Sequence, residues 1–136
     1  MADDRLFDLE IICPERIFYR GKAVMVELNT TEGEIGVYKN HIPLTTILQP
    51  GILTITEENG KKEAVLHSGF MEILPDRITI LAEIAEWPQE IDVDRAKKAE
   101  ERAKQRLEEK APGTDMRRAE AALHRALARL ELTERK

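Results

Sequence analysis

The chain has 136 residues, 35% of them charged and only 4% aromatic, which suits one ordinary domain plus a small accessory and requires a mostly aliphatic core. The net charge of −5 is unevenly spread: residues 1–90 hold 8 Lys/Arg against 16 Asp/Glu, whereas residues 91–136 hold 13 against 10. An acidic body argues against general nucleic-acid binding, whose sequence-independent affinity comes from phosphate neutralisation, and leaves only a local anion site open in the basic tail.

From the N-terminus, Phe7, Leu9 and Ile11 alternate with Asp8 and Glu10, the signature of a half-buried strand with one wet face. Pro14-Glu15 breaks it, and Arg16–Tyr19 reads as a second strand. Val24, Val26 and Leu28 alternate with Met25 and Glu27 as a third. Glu32-Gly-Glu-Ile-Gly36 supplies a turn and a bare backbone before Val37-Tyr38, and an apolar run follows His41-Ile-Pro43 as far as Leu48. Beyond Pro50-Gly51, Ile52–Glu57 and Lys61–Leu66 flank Glu58-Asn59-Gly60, a strong short-range hairpin signal. Gly69–Leu74 and Arg77–Leu81 are joined by Pro75-Asp76. About nine short strands between turns predict an antiparallel sandwich or flattened barrel.

Cys13 is the sole cysteine, so no internal disulfide forms, and its apolar surroundings predict a buried thiol in a strand rather than a nucleophile. The start, Met-Ala-Asp-Asp-Arg, is acidic and without an apolar run, so a signal peptide is not expected. No stretch approaches the ~18 consecutive apolar residues of a bilayer-crossing helix.

Character changes at Trp87-Pro88, which predicts an N-terminal β domain over residues 1–87 and a C-terminal two-helix hairpin over residues 88–136. Asp92 is placed to cap the first helix, and Asp94 in its first turn complements the helix dipole. Ala96, Ala99, Ala103 and Leu107 recur at three- and four-residue steps as one apolar stripe. Pro112-Gly113 ends that helix, and Thr114 or Asp115 caps a second, whose stripe is Ala119, Ala122 or Leu123, Ala126 and Leu130. A short loop makes the two helices antiparallel neighbours. The stripe is mostly alanine. A buried methyl contributes only about 0.8 kcal/mol, whereas ordering each residue costs roughly 1–2 kcal/mol of backbone entropy. Such a hairpin is marginal alone and must dock on the sandwich, bind a ligand or open.

Arg95 and Arg102 lie two turns apart on one face of the first helix, and Arg125 and Arg129 one turn apart on the second. Folding at Pro112-Gly113 brings Arg95 roughly level with Arg129, with Arg102 and Arg125 nearer the loop. Four converging guanidiniums demand anionic company. Glu86 and Asp92 are candidates within the chain; a polyphosphate is the candidate from outside, because guanidinium forks match phosphate oxygens. The plainer reading is a solvated face laced with intrahelical pairs such as Lys97–Glu101 and Glu100–Lys104.

Catalytic apparatus is missing from the sequence. His41, His67 and His124 are isolated, and no Gly-rich loop followed by Lys-Ser/Thr, no nucleophile elbow and no paired Cys occurs. A non-catalytic chain without metal ligands is expected.

Glu32-Gly-Glu-Ile-Gly-Val-Tyr-Lys-Asn-His-Ile-Pro-Leu44, Gln49-Pro-Gly51 and Ser68-Gly-Phe-Met-Glu-Ile73 together resemble the epsilon subunit of bacterial F-type ATP synthases, over nearly the whole chain. The resemblance implies a sandwich of about ten strands seated on the gamma subunit and the membrane c-ring. It also implies a tail that either packs on the sandwich or extends along gamma into the alpha/beta catalytic ring, where it blocks ATP hydrolysis. The chain would be a peripheral protein at the cytoplasmic face of the bacterial cell membrane, attached only through the complex, with no required cofactor. Some bacterial members bind ATP as a regulatory ligand through Ile-Asp-x-x-Arg-Ala, whole here as Ile91-Asp92-Val93-Asp94-Arg95-Ala96. The likeness adds Glu86, Arg102, Arg125 and Arg129 to that site, with Trp87-Pro88 as a stiff, bulky approach to Glu86. It also places Glu32, Tyr38 and His41 on a surface that tunes assembly with the other rotor subunits. The alternative is a purely structural rotor adapter whose tail never senses nucleotide.

Overall fold

Alternation fixes the inward set of each strand, and the inward sets pool into one aliphatic core. The computed structural model describes residues 4–135, so Met1–Asp3 and Lys136 lie outside the described residues. The strands are β1 (Phe7–Cys13), β2 (Arg16–Ala23), β3 (Met25–Thr30), β4 (Gly33–Tyr38), β5 (Leu44–Leu48), β6 (Gly51–Glu57), β7 (Gly60–Leu74) and β8 (Arg77–Glu86). A 3-10 turn at Pro88–Glu90 leads into α1 (Val93–Glu109) and α2 (Met116–Glu134). Phe7, Leu9, Ile11, Leu53, Ile55, Met71, Ile73, Ile78 and Ile80 are all at most 2% exposed and form the centre of the core. Among the described residues no helix is long and apolar enough to cross a membrane.

The strands form one curled sheet in the order β2-β1-β8-β7-β5-β3-β4, with β6 pairing β3 and β7 to close the second layer. A β-sandwich followed by a helical pair is therefore the fold, with eight strands among the described residues rather than about ten. One pairing departs from the antiparallel expectation: β1 runs parallel to β8, Ile11 opposite Ile80.

The strand count drops because Lys61–Leu66 and Gly69–Leu74 are one strand. In β7 the core-facing residues change from Ala64 and Leu66 to Met71 and Ile73, an even-to-odd swap that reads in sequence as a break. The register with β8 runs on unbroken, from Val65 opposite Glu86 to Leu74 opposite Arg77. Backbone rotation makes the swap: Ser68 has φ 47° and Gly69 φ 140°. A Cβ at position 69 would collide with the Leu81 carbonyl oxygen, so glycine is required there. The first half of β7 pairs β6 and the second half β5, so this strand joins both layers.

Cys13 ends β1 half-buried rather than buried, and its thiol is free. Burial pushes that thiol above its ordinary range, against the pull of Arg16, which disfavours nucleophilic use.

Both helices start as their caps dictate. Asp92 accepts from the Arg95 backbone N–H at 3.1 Å, and Asp115 from that of Arg118 at 3.2 Å. α1 stops at Lys110, whose φ of 48° is left-handed, two residues before Pro112. Ala96 and Ala103 of α1 and Ala119 and Ala126 of α2 are buried, so the alanine stripes close on each other. α2 lies across β6 and β7. Its seam with the sheet is small: Val65, Ile91, Ala128 and Leu132 are buried together, with Ile52 packed beside them.

Candidate functional site

The last residue of β8 points Glu86 out of the sandwich towards α2, because its neighbour Ala85 takes the core side. Arg129 of α2 meets it: Nε donates to Glu86 Oε1 at 2.6 Å, with the two side chains 25% and 23% exposed. This bridge ties hairpin to sandwich. On its inner side stands His67, 1% exposed, with Nε2 at 3.5 Å from Glu86 Oε1. His67 first, and then Arg129, hold the Glu86 carboxyl below its ordinary 4.5, against the upward push of burial.

Around this bridge the hairpin opens a notch of about 390 Å³, within the roughly 300–1,000 Å³ typical of small-molecule sites. Arg95 and Arg102 of α1 and Arg125 and Arg129 of α2 all line it, and Ala96, Ala99 and Ala122 leave the space open. Small side chains at those positions keep the helices close while clearing room between the arginines.

Glu86, Glu90 and Asp92 also border the notch, but each is occupied. Glu86 serves Arg129. Glu90 pairs with Arg16 at 2.9 Å and accepts from the Trp87 backbone N–H at 2.9 Å. The Arg16 contact is the chief reason its carboxyl stays below the ordinary value. Asp92 caps α1. Among the described residues Arg95, Arg102 and Arg125 therefore form no ion pair, and three guanidiniums face the notch without a partner. The N-terminus of α1 adds its dipole on the same side. Chemically the arrangement suits an anion with several oxygens, since the guanidiniums that line it outnumber the carboxylates left unengaged.

Seven of the eight ligand residues expected from sequence thus converge: Glu86, Asp92, Arg95, Ala96, Arg102, Arg125 and Arg129. Ile91 does not join them, and it packs instead in the apolar seam with Val65 and Leu132. Trp87 leaves the approach clear. Its ring stacks on Phe18 with centroids 4.3 Å apart and meets Tyr19 edge-on, so its bulk lies on the sandwich core.

Sequence patterning missed His67 and Glu90. His67 looked isolated along the chain, and only the pairing of Val65 with Glu86 places it beside that carboxylate. Glu90 could have been found from the turn chemistry of Trp87-Pro88.

The residues expected to tune assembly lie between the β3–β4 turn and the loop that follows β4. Glu32 is exposed in the β3–β4 turn, and Tyr38, 59% exposed, ends β4 six residues on. His41 follows in the loop, its Nδ1 at 2.7 Å from the Ile42 carbonyl, close to where Asn40 N–H donates to Pro75 O. A separate apolar row crosses the outer face: Ile47 lies opposite Phe70 and Phe70 opposite Leu81, at 61%, 44% and 37% exposure.

The model of the ATP synthase delta/epsilon chain β-sandwich domain matches residues 6–88, and that of its long α-helix domain matches residues 89–134. An ATP synthase epsilon chain from Caldanaerobacter subterraneus subspecies tengcongensis is 47% identical over 133 residues, covering 97% of this chain and 96% of the relative. One from Moorella thermoacetica is 46% identical over 125 residues, covering 91% and 93%. A chain solved by cryo-electron microscopy within the Euglena gracilis mitochondrial ATP synthase superposes with a TM-score of 0.80 at 25% identity, over 96% of this chain and 82% of that one. Sandwich, hairpin and full-length likeness agree, and this chain belongs to the ATP synthase epsilon-chain family.

Proposed function

We propose that the chain is a central-stalk subunit of a proton-translocating F-type ATP synthase whose hairpin reports ATP. The sandwich seats on the gamma subunit and the c-ring. The hairpin rests on the sandwich when ATP fills the notch, and otherwise extends towards the alpha/beta ring and blocks hydrolysis. The chain itself turns over nothing, and ATP is its regulatory ligand rather than a cofactor.

One observation carries the sensing reading: three unpaired guanidiniums converge on a notch that exists only while α1, α2 and the end of β8 are together. A ligand bound only by that state stabilises it by RT ln(1 + [L]/Kd), about 2.7 kcal/mol at a hundredfold excess over Kd. The alanine seam and the small contact of α2 with the sheet leave docking weak enough for such a term to decide. The exposed row Ile47–Phe70–Leu81 supports the seating role, since apolar side chains in register across strands suit a protein partner.

ATP is expected to raise the melting temperature of the isolated chain, and Asp92→Ala combined with Arg95→Ala to abolish the rise. No shift in the parent chain at millimolar ATP removes the sensor and leaves the structural adapter.

A further inference from the structure

Buried polar side-chain atoms are nearly always partnered. His67 breaks that rule: it is 1% exposed, its Nδ1 has no partner, and its Nε2 has only a long 3.5 Å approach to Glu86 Oε1 that falls short of a formed hydrogen bond. It projects from the outer side of β7, two residues beyond Val65, which sits in the seam under α2. The lid over this imidazole is therefore the hairpin, and lifting α2 wets the ring.

The charges around it are unbalanced. Glu86 of β8 is the anion that faces it, and Arg125 and Arg129 of α2 are the cations. The adjoining β6 residues, Gly51 and Ile52, carry no charge. A proton on His67 would place three cations around one carboxylate that Arg129 already uses. The neutral ring, by contrast, fills the space behind Glu86 and keeps the carboxylate turned to Arg129. We propose that His67 is a positioning residue that makes hairpin docking proton-dependent: neutral, it holds Glu86 for Arg129 beneath α2; protonated, it drives the hairpin off the sandwich. This goes beyond nucleotide sensing, although it rests on the reading that the hairpin leaves the sandwich.

The sign follows from the geometry. In the docked state burial, the largest influence, holds the imidazole below its ordinary 6.5; Glu86 works against this, and Arg129 and Arg125 reinforce it. Released into water, the ring returns to about 6.5. Docking is then fully supported above that value and weakens as pH falls below it, until the docked ring also protonates. The largest slope is one proton, about tenfold in the docked-to-released ratio per pH unit. Glu86 stays ionised through this window, since its carboxyl lies below 4.5.

The test uses the full chain with Cys13→Ser and spin labels on cysteines replacing Lys62 of β7 and Glu131 of α2, both exposed. The docked fraction is read from the label distance between pH about 8 and about 5.5, the window of an ordinary imidazole. The docked-to-released ratio is expected to fall up to about tenfold per pH unit with His67 and to stay flat with His67→Gln. Equal pH dependence in both chains overturns the role of His67 and leaves hairpin mobility standing. A hairpin docked throughout in both chains overturns the mobility reading as well. Should His67→Gln fail to fold, a nitrogen NMR titration of the His67 ring in the parent decides: the released fraction must track its protonation, and a mismatch refutes the proposal.

Discussion

Glu86 is one of two carboxylates on which sandwich and hairpin meet, the other being Glu63, which accepts from Arg135 at 2.6 Å. The Glu86 carboxylate accepts Arg129 at 2.6 Å with His67 behind it, and its lowered acidity range records that company. A carboxyl depressed in the docked state supports docking above its ordinary 4.5 and loses that support as pH falls through its lower docked value. Glu86→Gln leaves Arg129 part-buried without a counter-charge and is expected to cost about 1.5–3 kcal/mol, the worth of a hydrogen bond to a charged group. Urea melts should show this loss near neutrality, shrinking at acid pH as the parent loses its own charge. A variant as stable as the parent at pH about 7 removes the bridge from the account. The four arginines and Asp92 were legible in sequence because helical spacing groups them without any knowledge of the sheet, whereas Glu86, the last residue of β8, was reached as a nearby acid and through the family resemblance. His67 was not legible, since its partner lies across a strand pair.

At the scale of elements, α2 is fastened by few side chains. Leu132 is 2% exposed in the seam with Val65, Ile91 and Ala128, whereas the sandwich core on the other face of β7 is complete without it. Leu132→Ala is expected to cost about 2–5 kcal/mol. The hairpin should then become protease-sensitive while the sandwich keeps its melting temperature. Loss of both together would show that hairpin and sandwich form one cooperative unit. Strand alternation and helical stripes were sufficient for the order of elements, while capping chemistry gave Asp92 and narrowed the second cap to Thr114 or Asp115, of which Asp115 is the one. Alternation failed at His67-Ser68, where the buried phase inverts within one strand. Only the backbone rotation at Ser68 and Gly69 explains how β7 stays continuous, and a residue pattern does not distinguish rotation from a break. The parallel pairing of β1 with β8 was likewise hidden, because register between strands so far apart in the chain leaves no local mark.

The whole molecule presents two kinds of surface: an apolar row on the sandwich and a cationic notch beneath a lightly held hairpin. Phe70→Asp places a charge in the middle of the row at a 44% exposed position, so folding should be unaffected while association with a gamma subunit falls by at least about tenfold, the equivalent of 1.4 kcal/mol. Undiminished association would move the seat elsewhere on the sandwich. The notch bears the central claim, that an anionic nucleotide supplies the charge which Arg95, Arg102 and Arg125 lack. Calorimetric titration of the isolated chain with ATP tests it most directly. Saturable binding of one ATP per chain, lost in Arg95→Ala and weakened in Arg125→Ala, is the predicted result. No binding at millimolar ATP, or binding indifferent to both substitutions, would contradict it.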